Sequence, residues 1–509
     1  MNVKDSHCMS RVRYILVLCL LVCSMAVSAQ TFSEVERNSF WQGSQNVAGI
    51  RLDSLSRSYA EAFGRYEEGG FRDTWQAPRT WSAGAVTESV RHFERMSVTG
   101  SFAFEQTEGY DMCGSMFIKP GYFPIDVLEF TPGRKTLQTY SFDGGIAYDL
   151  DGRWTIGAKM DFESANLAKR KDLRHANWWL DFTVAPGVMY RSGDWAVGLS
   201  PVFRKVAETI DAEQVGTAES SYYAFLDKGL MYGIHQVWTG SGIHLEESGV
   251  NGLPLREYSY GGAVQMQYRG LFAEVRMSRT YGSAGEKEYM WFRFPGMKME
   301  TGLRYRWTVD DRESNVRLHY DMKRQHTDET VLEKISENGI TTVLNHGSNR
   351  IFSKSSWRIS PEYEMLHRIM DMRAGADFEV SEGVSSQVYP YIYARSLKHL
   401  SAYVEIMFHY GRLDFGAKGT YGTGWLKESE RLASEGSGVQ SVPFRLQEWY
   451  ERQMEYMTAR RFHADLMLRY NFSRGIYIAA DIRSTKAFDL DHSDDPNRFS
   501  ATVKVGYDF

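Results

Sequence analysis

Five residues in a row, Asn345-His346-Gly347-Ser348-Asn349, offer the sharpest chemistry in the sequence. In an extended segment His346 and Ser348 lie two apart on one side, so the imidazole can take the hydroxyl proton and make the serine a nucleophile. The competing reading is a plain loop, since Asn, Gly and Ser are the residues that turn geometry favours. The run Asp489-Leu490-Asp491-His492-Ser493-Asp494-Asp495 places carboxylates close enough for calcium, but it lacks the glycine and terminal glutamate of a calcium loop and reads as a solvated acidic loop. His235, His244, Glu246 and Glu247 sit in one connection, and a transition-metal site there needs three or four converging ligands. There is no Gly-x-x-x-x-Gly-Lys, His-Glu-x-x-His or Cys-x-x-Cys run, so no cofactor, zinc site or nucleotide is expected.

A larger constellation emerges from alternation. Glu274, Arg276, Asp371, Arg373, Asp377, Glu379, Asp465, Arg469, Asp481, Arg483, Lys504 and Asp508 all fall on the polar face of segments whose other face is apolar. Both signs occur, often two residues apart, where they can pair. Such a lining is either a lattice of ion pairs or a selectivity surface for a polar solute, and its mixed sign selects neither cations nor anions.

The elements that must carry these residues are strands. Phe499, Ala501, Val503, Val505, Tyr507 and Phe509 share one face, and Ser500, Thr502, Lys504, Gly506 and Asp508 the other. Segments 462–472, 370–380 and 271–278 repeat this period of two at about ten residues each. Tight turns are expected at Asp151-Gly152, Ser192-Gly193-Asp194, Arg269-Gly270, Asp310-Asp311, His367-Arg368, Gly411-Arg412 and Ser473-Arg474-Gly475. Longer polar connections are expected at 109–134, 209–255, 328–350 and 425–452. Seven short turns with both termini on their side give about 16 strands, within a range of 14 to 18. The apolar face carries Trp154, Trp178, Trp179, Trp291, Trp307, Tyr268 and Tyr470 near strand ends, where a membrane interface solvates an aromatic ring best. The expected fold is therefore all-β, a transmembrane antiparallel β-barrel spanning residues 91–509.

Composition agrees. The 509 residues are 43% hydrophobic, 24% charged and 14% aromatic, which excludes disorder for the bulk. A mean hydropathy of −0.42 excludes a helical membrane bundle but not a barrel, whose spans alternate. The formal net charge is −5. Residues 1–29 carry Lys4, Arg11 and Arg13 against Asp5, so the remainder is near −7 and has no basic surplus for nucleic acid. Those 29 residues read as a secretory signal: a basic start, an apolar run from Tyr14 to Val27, and Val27-Ser28-Ala29 before cleavage. Cys8, Cys19 and Cys23 leave with it, making Cys113 the one mature thiol, read as an inert small residue. Residues 30–90 are expected to be an N-terminal plug or periplasmic segment, with a helix over Ser54–Tyr66 that puts Leu55, Tyr59 and Phe63 on one face.

Signal, plug-like segment, alternating strands and terminal aromatic together resemble outer-membrane β-barrel families of Gram-negative bacteria. In layout the chain is similar to barrels of the long-chain fatty-acid transporter type, although it shows no clear plug signature of that family, and a 22-stranded TonB-dependent receptor needs a longer chain. The resemblance implies the outer membrane as location and lipid bilayer as surroundings. It implies Tyr507 and Phe509 as a signal read by the barrel-assembly machinery. The implied role is a passive channel or accessory barrel in solute uptake or surface assembly. The alternative is a structural barrel docking a surface lipoprotein or TonB-dependent receptor. The string at His346 also resembles the His-x-Ser-Asn core of outer-membrane phospholipase and lipid A deacylase barrels, implying an acyl hydrolase at the outer rim; the third triad member of that pattern is not evident.

Overall fold

A computed structural model describes residues 39–53, 56–171, 173–213, 224–229, 235–237, 250–285, 290–338, 340–386, 392–429 and 444–509. Residues 1–29, expected to be a signal peptide, and His244, Glu246 and Glu247 lie outside them. The strands are β1 (Arg57–Gly69), β2 (Arg79–His92), β3 (Met96–Ser115), β4 (Asp126–Asp149), β5 (Trp154–Lys169), β6 (Arg174–Ser192) and β7 (Trp195–Glu213). Two short strands follow, β8 (Ala224–Asp227) and β9 (His235–Val237). The wall resumes with β10 (Val250–Tyr268), β11 (Leu271–Gly285), β12 (Met290–Val309), β13 (Arg312–Glu337), β14 (Ile340–Leu366), β15 (Met370–Ser385) and β16 (Tyr393–Tyr410). It ends with β17 (Leu413–Glu428), helix α1 (Phe444–Thr458), β18 (Arg460–Asn471), β19 (Ile476–Phe488) and β20 (Asn497–Asp508).

Each wall strand pairs antiparallel with its neighbours, β7 pairs directly with β10, and β1 pairs with β20. Eighteen strands thus close a barrel, with β8 and β9 set aside on β4. Closure is the physical requirement: a barrel leaves no backbone N–H or C=O unpaired in lipid. No helix among the described residues is long and apolar enough to cross a membrane. Crossing is left to strands, whose outward side chains form an exposed apolar band including Val197, Leu199, Val275, Val404, Leu466, Val503 and Val505. Aromatic pairs stand near the short-turn end, among them Trp154–Tyr190, Trp195–Tyr268, Tyr305–Trp307 and Tyr507–Phe509.

All seven expected turns connect strands in this way, and the eighth, Phe93-Glu94-Arg95, accounts for the two extra strands. The barrel also begins earlier than residue 91. From Arg57 onward the helix expected over Ser54–Tyr66 is replaced by β1, between β2 and β20, while Ser54 and Leu55 lie outside the described residues. Its outward residues Ala60, Ala62 and Gly64 lie opposite Tyr507, Val505 and Val503. Small residues beside large ones make a lipid face with little hydropathy of their own, so the strand is visible only once its distant partner is placed. Trp179, expected on the outer girdle, points inward and is buried; alternation cannot put both it and exposed Trp178 on one face. The 328–350 region is the outer part of a long β13–β14 hairpin rather than a loop. Its length far exceeds the ~10 residues a membrane requires, so it projects beyond the bilayer.

Candidate functional site

An 18-strand barrel is wider than its inward side chains can fill. Two inward segments and one cover occupy the difference here.

The first is Ser39–Asp53, at the short-turn end. Asn46 caps a 3-10 turn over Val47–Leu52 by accepting from the Ala48 amide at 3.1 Å. Its side-chain nitrogen donates to the Val188 carbonyl at 3.0 Å and to Gln265 at 3.2 Å. The wall is shaped for this. Four adjacent strands offer Gly145, Gly157, Gly187 and Gly198, where any Cβ would come within 2.1–2.7 Å of Asn46 or Val47. Trp41 donates from its indole to Gln267 at 2.5 Å and packs edge-on against Phe272. Arg51 anchors the far end, bonding Asp149 at 2.7 and 2.8 Å, three backbone carbonyls of the 93–96 turn, and Ser97.

Asp53 closes the segment beside Ser39. Burial raises its carboxyl to about 6, against the lowering pull of Ser39, Arg306 and Arg304. A carboxyl raised on docking favours the docked form when protonated, fully so below its free value near 3.8. That contribution is lost as pH rises through about 6. Amide exchange over residues 46–53, corrected for its intrinsic pH dependence, should accelerate between pH 5 and 7.5. Asp53→Asn should flatten this dependence, and an unchanged slope would assign it elsewhere.

The second inward segment is residues 116–125, between β3 and β4, part of a connection expected to be polar and outward. Instead Met116, Phe117, Phe123 and Ile125 are buried in an apolar cluster with inward-facing Trp179, Val206, Ile210, Leu253, Leu255, Phe292, Phe294 and Phe352. The missed signal is the apolar density of a supposed outer loop: burying one phenylalanine is worth about 2–3 kcal/mol, more than turn propensity can oppose. The cover is α1, whose Gln453 accepts from Thr74 at 2.7 Å and donates to Asp73 at 3.2 Å, while Trp449 packs on Phe130.

Three adjoining cavities of about 550, 520 and 590 Å³ run between these elements. The first lies under α1 and shares Lys354 and loop residues Gly121, Phe123 and Pro124 with the second; the second shares Arg276 and Glu300 with the third, whose floor is Ser39–Ser44.

The ionisable residues named from alternation occupy this interior, mostly as pairs. Arg276 bonds Glu300 at 2.9 Å and Glu274 at 3.2 Å, and Glu274 also accepts from Ser44. Asp371 lies 3.2 Å from His409, Arg373 bonds Glu364 at 2.9 Å, and Asp377 bonds Arg358 at 2.7 Å. Asp465 meets Arg483 at 2.5 Å, Asp481 meets Lys504 at 2.9 Å, and Arg469 meets Asp508 at 2.5 Å. Glu379 lines the cavity under α1. Arg204, Lys298, Lys323 and Lys354 were not singled out. They too alternate, but their strands' pairing partners decide which face is inside.

The other chemical candidates resolve differently. His346 bonds Glu333 at 2.7 Å on the exposed hairpin, and the Gly347 amide donates to Asn345, a local turn contact. Of the acidic run, Asp489 pairs with Arg460, Asp495 accepts from the Gly70 and Asn497 amides, and the Asp491 and His492 amides donate to Glu455 of α1. These carboxylates hold the rim together. Cys113 is buried near the end of β3. Tyr507 and Phe509 face outward, and the Phe509 backbone exchanges two hydrogen bonds with Ser58.

Solved structures similar in outline are outer-membrane proteins. They include Acinetobacter baumannii OccAB2 (8% identity, 89% of this chain and 98% of that chain, TM-score 0.30). A mutant ferric enterobactin receptor of Pseudomonas aeruginosa (9%, 89% and 81%, 0.40) is another, and the copper transporter OprC (8%, 89% and 80%, 0.39) a third. No curated protein matches the chain. The family described as "Family of unknown function (DUF6850)" matches residues 47–509, and the chain belongs to it.

Proposed function

We infer that this barrel is an outer-membrane solute channel, held shut at its periplasmic end by residues 39–53. The observation that carries the reading is the series of three charged-walled cavities, which passes the 116–125 loop and ends on that segment. Short turns face the periplasm and long connections the exterior in such barrels, so the segment lies on the periplasmic side. The glycine bed and polar anchors favour a part that docks and releases over one fused to the wall.

The wall begins with β1 at Arg57, so a deletion test must stop short of it. A chain lacking residues 30–53 should give stepwise conductance in planar bilayers, with the intact chain silent or nearly so. Silence from both, with the shortened barrel shown folded by heat-modifiable gel mobility, would remove transport. It would favour the second reading, a barrel docking a lipoprotein or TonB-dependent receptor, which co-purification from solubilised envelopes would reveal. The long β13–β14 hairpin supplies a surface for that. On either reading Tyr507 and Phe509 serve assembly, and the protein is not an enzyme.

A further inference from the structure

The middle cavity is not neutral. Arg204, Arg276, Lys298, Lys323 and Lys354 line it, against Glu257 and Glu300 as the only acids among the described residues of its wall. Two of these cations already have strong partners: Arg204 is held by Asp181 at 2.6 and 2.8 Å, and Arg276 by Glu300 and Glu274. Lys298 bonds Glu300 at 2.8 Å. Lys323 reaches the Tyr122 carbonyl at 3.5 Å and stands over that residue's ring, 5.1 Å from its centre. Neither Lys323 nor Lys354 forms an ion pair with any carboxylate among the described residues.

The arrangement is costly. Lys298 on β12 and Lys323 on β13 are directly opposed cross-strand partners, and like charges at that position destabilise a sheet. Lys354 follows on β14, opposite Gln325, so the three ammonium groups come from three consecutive strands and share one cavity. Thr280 adds to the same wall a buried hydroxyl with no partner among the described residues. The loop at Gly121–Pro124 closes one side and Gln45 the other. A volume of about 520 Å³ is that of a small-molecule site.

We propose that this chamber binds a small solute bearing two or more oxyanion groups, carboxylate or phosphate, held by Lys298, Lys323 and Lys354. The proposal rests on the channel reading and deepens it by naming the class of solute. An anion bridging the three lysines replaces their mutual repulsion with attraction in a site shielded from bulk water. Most of the ionisable residues named elsewhere in the interior are paired, whereas two lysines of this cavity are not, among the described residues.

Isothermal titration of the full mature chain in detergent with citrate and with pyrophosphate tests this, with spermidine and glucose as controls. One or both anions should bind and the controls should not; which anion binds tighter tells carboxylate from phosphate recognition. Lys323→Gln/Lys354→Gln should weaken binding at least tenfold while leaving the unliganded melting temperature unchanged or raised, because repulsion is relieved. A double variant that binds as well as the parent, or no binding of either anion, overturns the site. Conductance of the chain lacking residues 30–53 is read separately. Current without anion binding sinks only the site, and binding without current sinks only the channel.

Discussion

Val503→Arg is expected to cost about 2–4 kcal/mol of barrel stability, while Thr502→Arg, one residue away, costs far less. Val503 is exposed on the outer face of β20, between Gly64 of β1 and Ala480 of β19. Neither neighbour offers an arginine a polar contact, and near the bilayer midplane there is no water. Thr502 faces inward between Arg65 and Asp481, so a new guanidinium meets a carboxylate as well as a like charge in a hydrated interior. The folded fraction after urea titration, read by heat-modifiable gel mobility, measures both. Equal losses would mean that lipid does not distinguish the two faces, and the membrane assignment would fail with that result.

Trp41→Ala should release residues 39–53. The indole is almost fully buried, stands edge-on to Phe272 at 5.1 Å, and fills the space above Gly49, where an added Cβ would lie 1.8 Å from the ring. Truncating a buried tryptophan costs roughly 3–5 kcal/mol, a factor of about 150 to 5,000 in the docked-to-free ratio. Because Phe40 and Arg51 keep separate anchors, the loss falls on docking and not on the wall. Trypsin reports it directly, since the bond after Arg51 is protected while its guanidinium is held by Asp149. The variant should be cut there at least a hundredfold faster with the barrel intact. Cleavage at the parent rate would show that Trp41 does not hold the segment.

Much of the wall was legible because the period of two survives wherever an outward valine or leucine alternates with an inward charge, as in β11, β15, β18 and β20. It failed where lipid is met by Ala60, Ala62 and Gly64, since their apolar character is supplied by Val503, Val505 and Tyr507 across the seam. That is why β1 reads as a helix in isolation. Charged inward faces were legible for the same reason as the wall. The chamber was not, because Lys298, Lys323 and Lys354 become neighbours only through cross-strand register, which a one-dimensional pattern does not contain. The inward turn of residues 116–125 was written in Phe117, Phe123 and Ile125, but a rule that places long connections outside overrode it. The bed beneath Asn46 and Val47 is written in four glycines that differ in sequence position by up to 53 residues and meet only in the folded barrel.

Reversible docking of residues 39–53 is the central claim, and a disulfide lock tests it most directly. An ideal Cβ on Gly145 lies 3.4 Å from that of Val47, next to the range that disulfides adopt. A Val47→Cys/Gly145→Cys chain therefore carries a switch between wall and segment. In planar bilayers the oxidised protein should be silent. Added reductant should start stepwise conductance, because a side chain on Gly145 intrudes on the bed once the bond no longer holds the segment down. The same current before and after reduction, with the disulfide confirmed by mass spectrometry, would contradict the account.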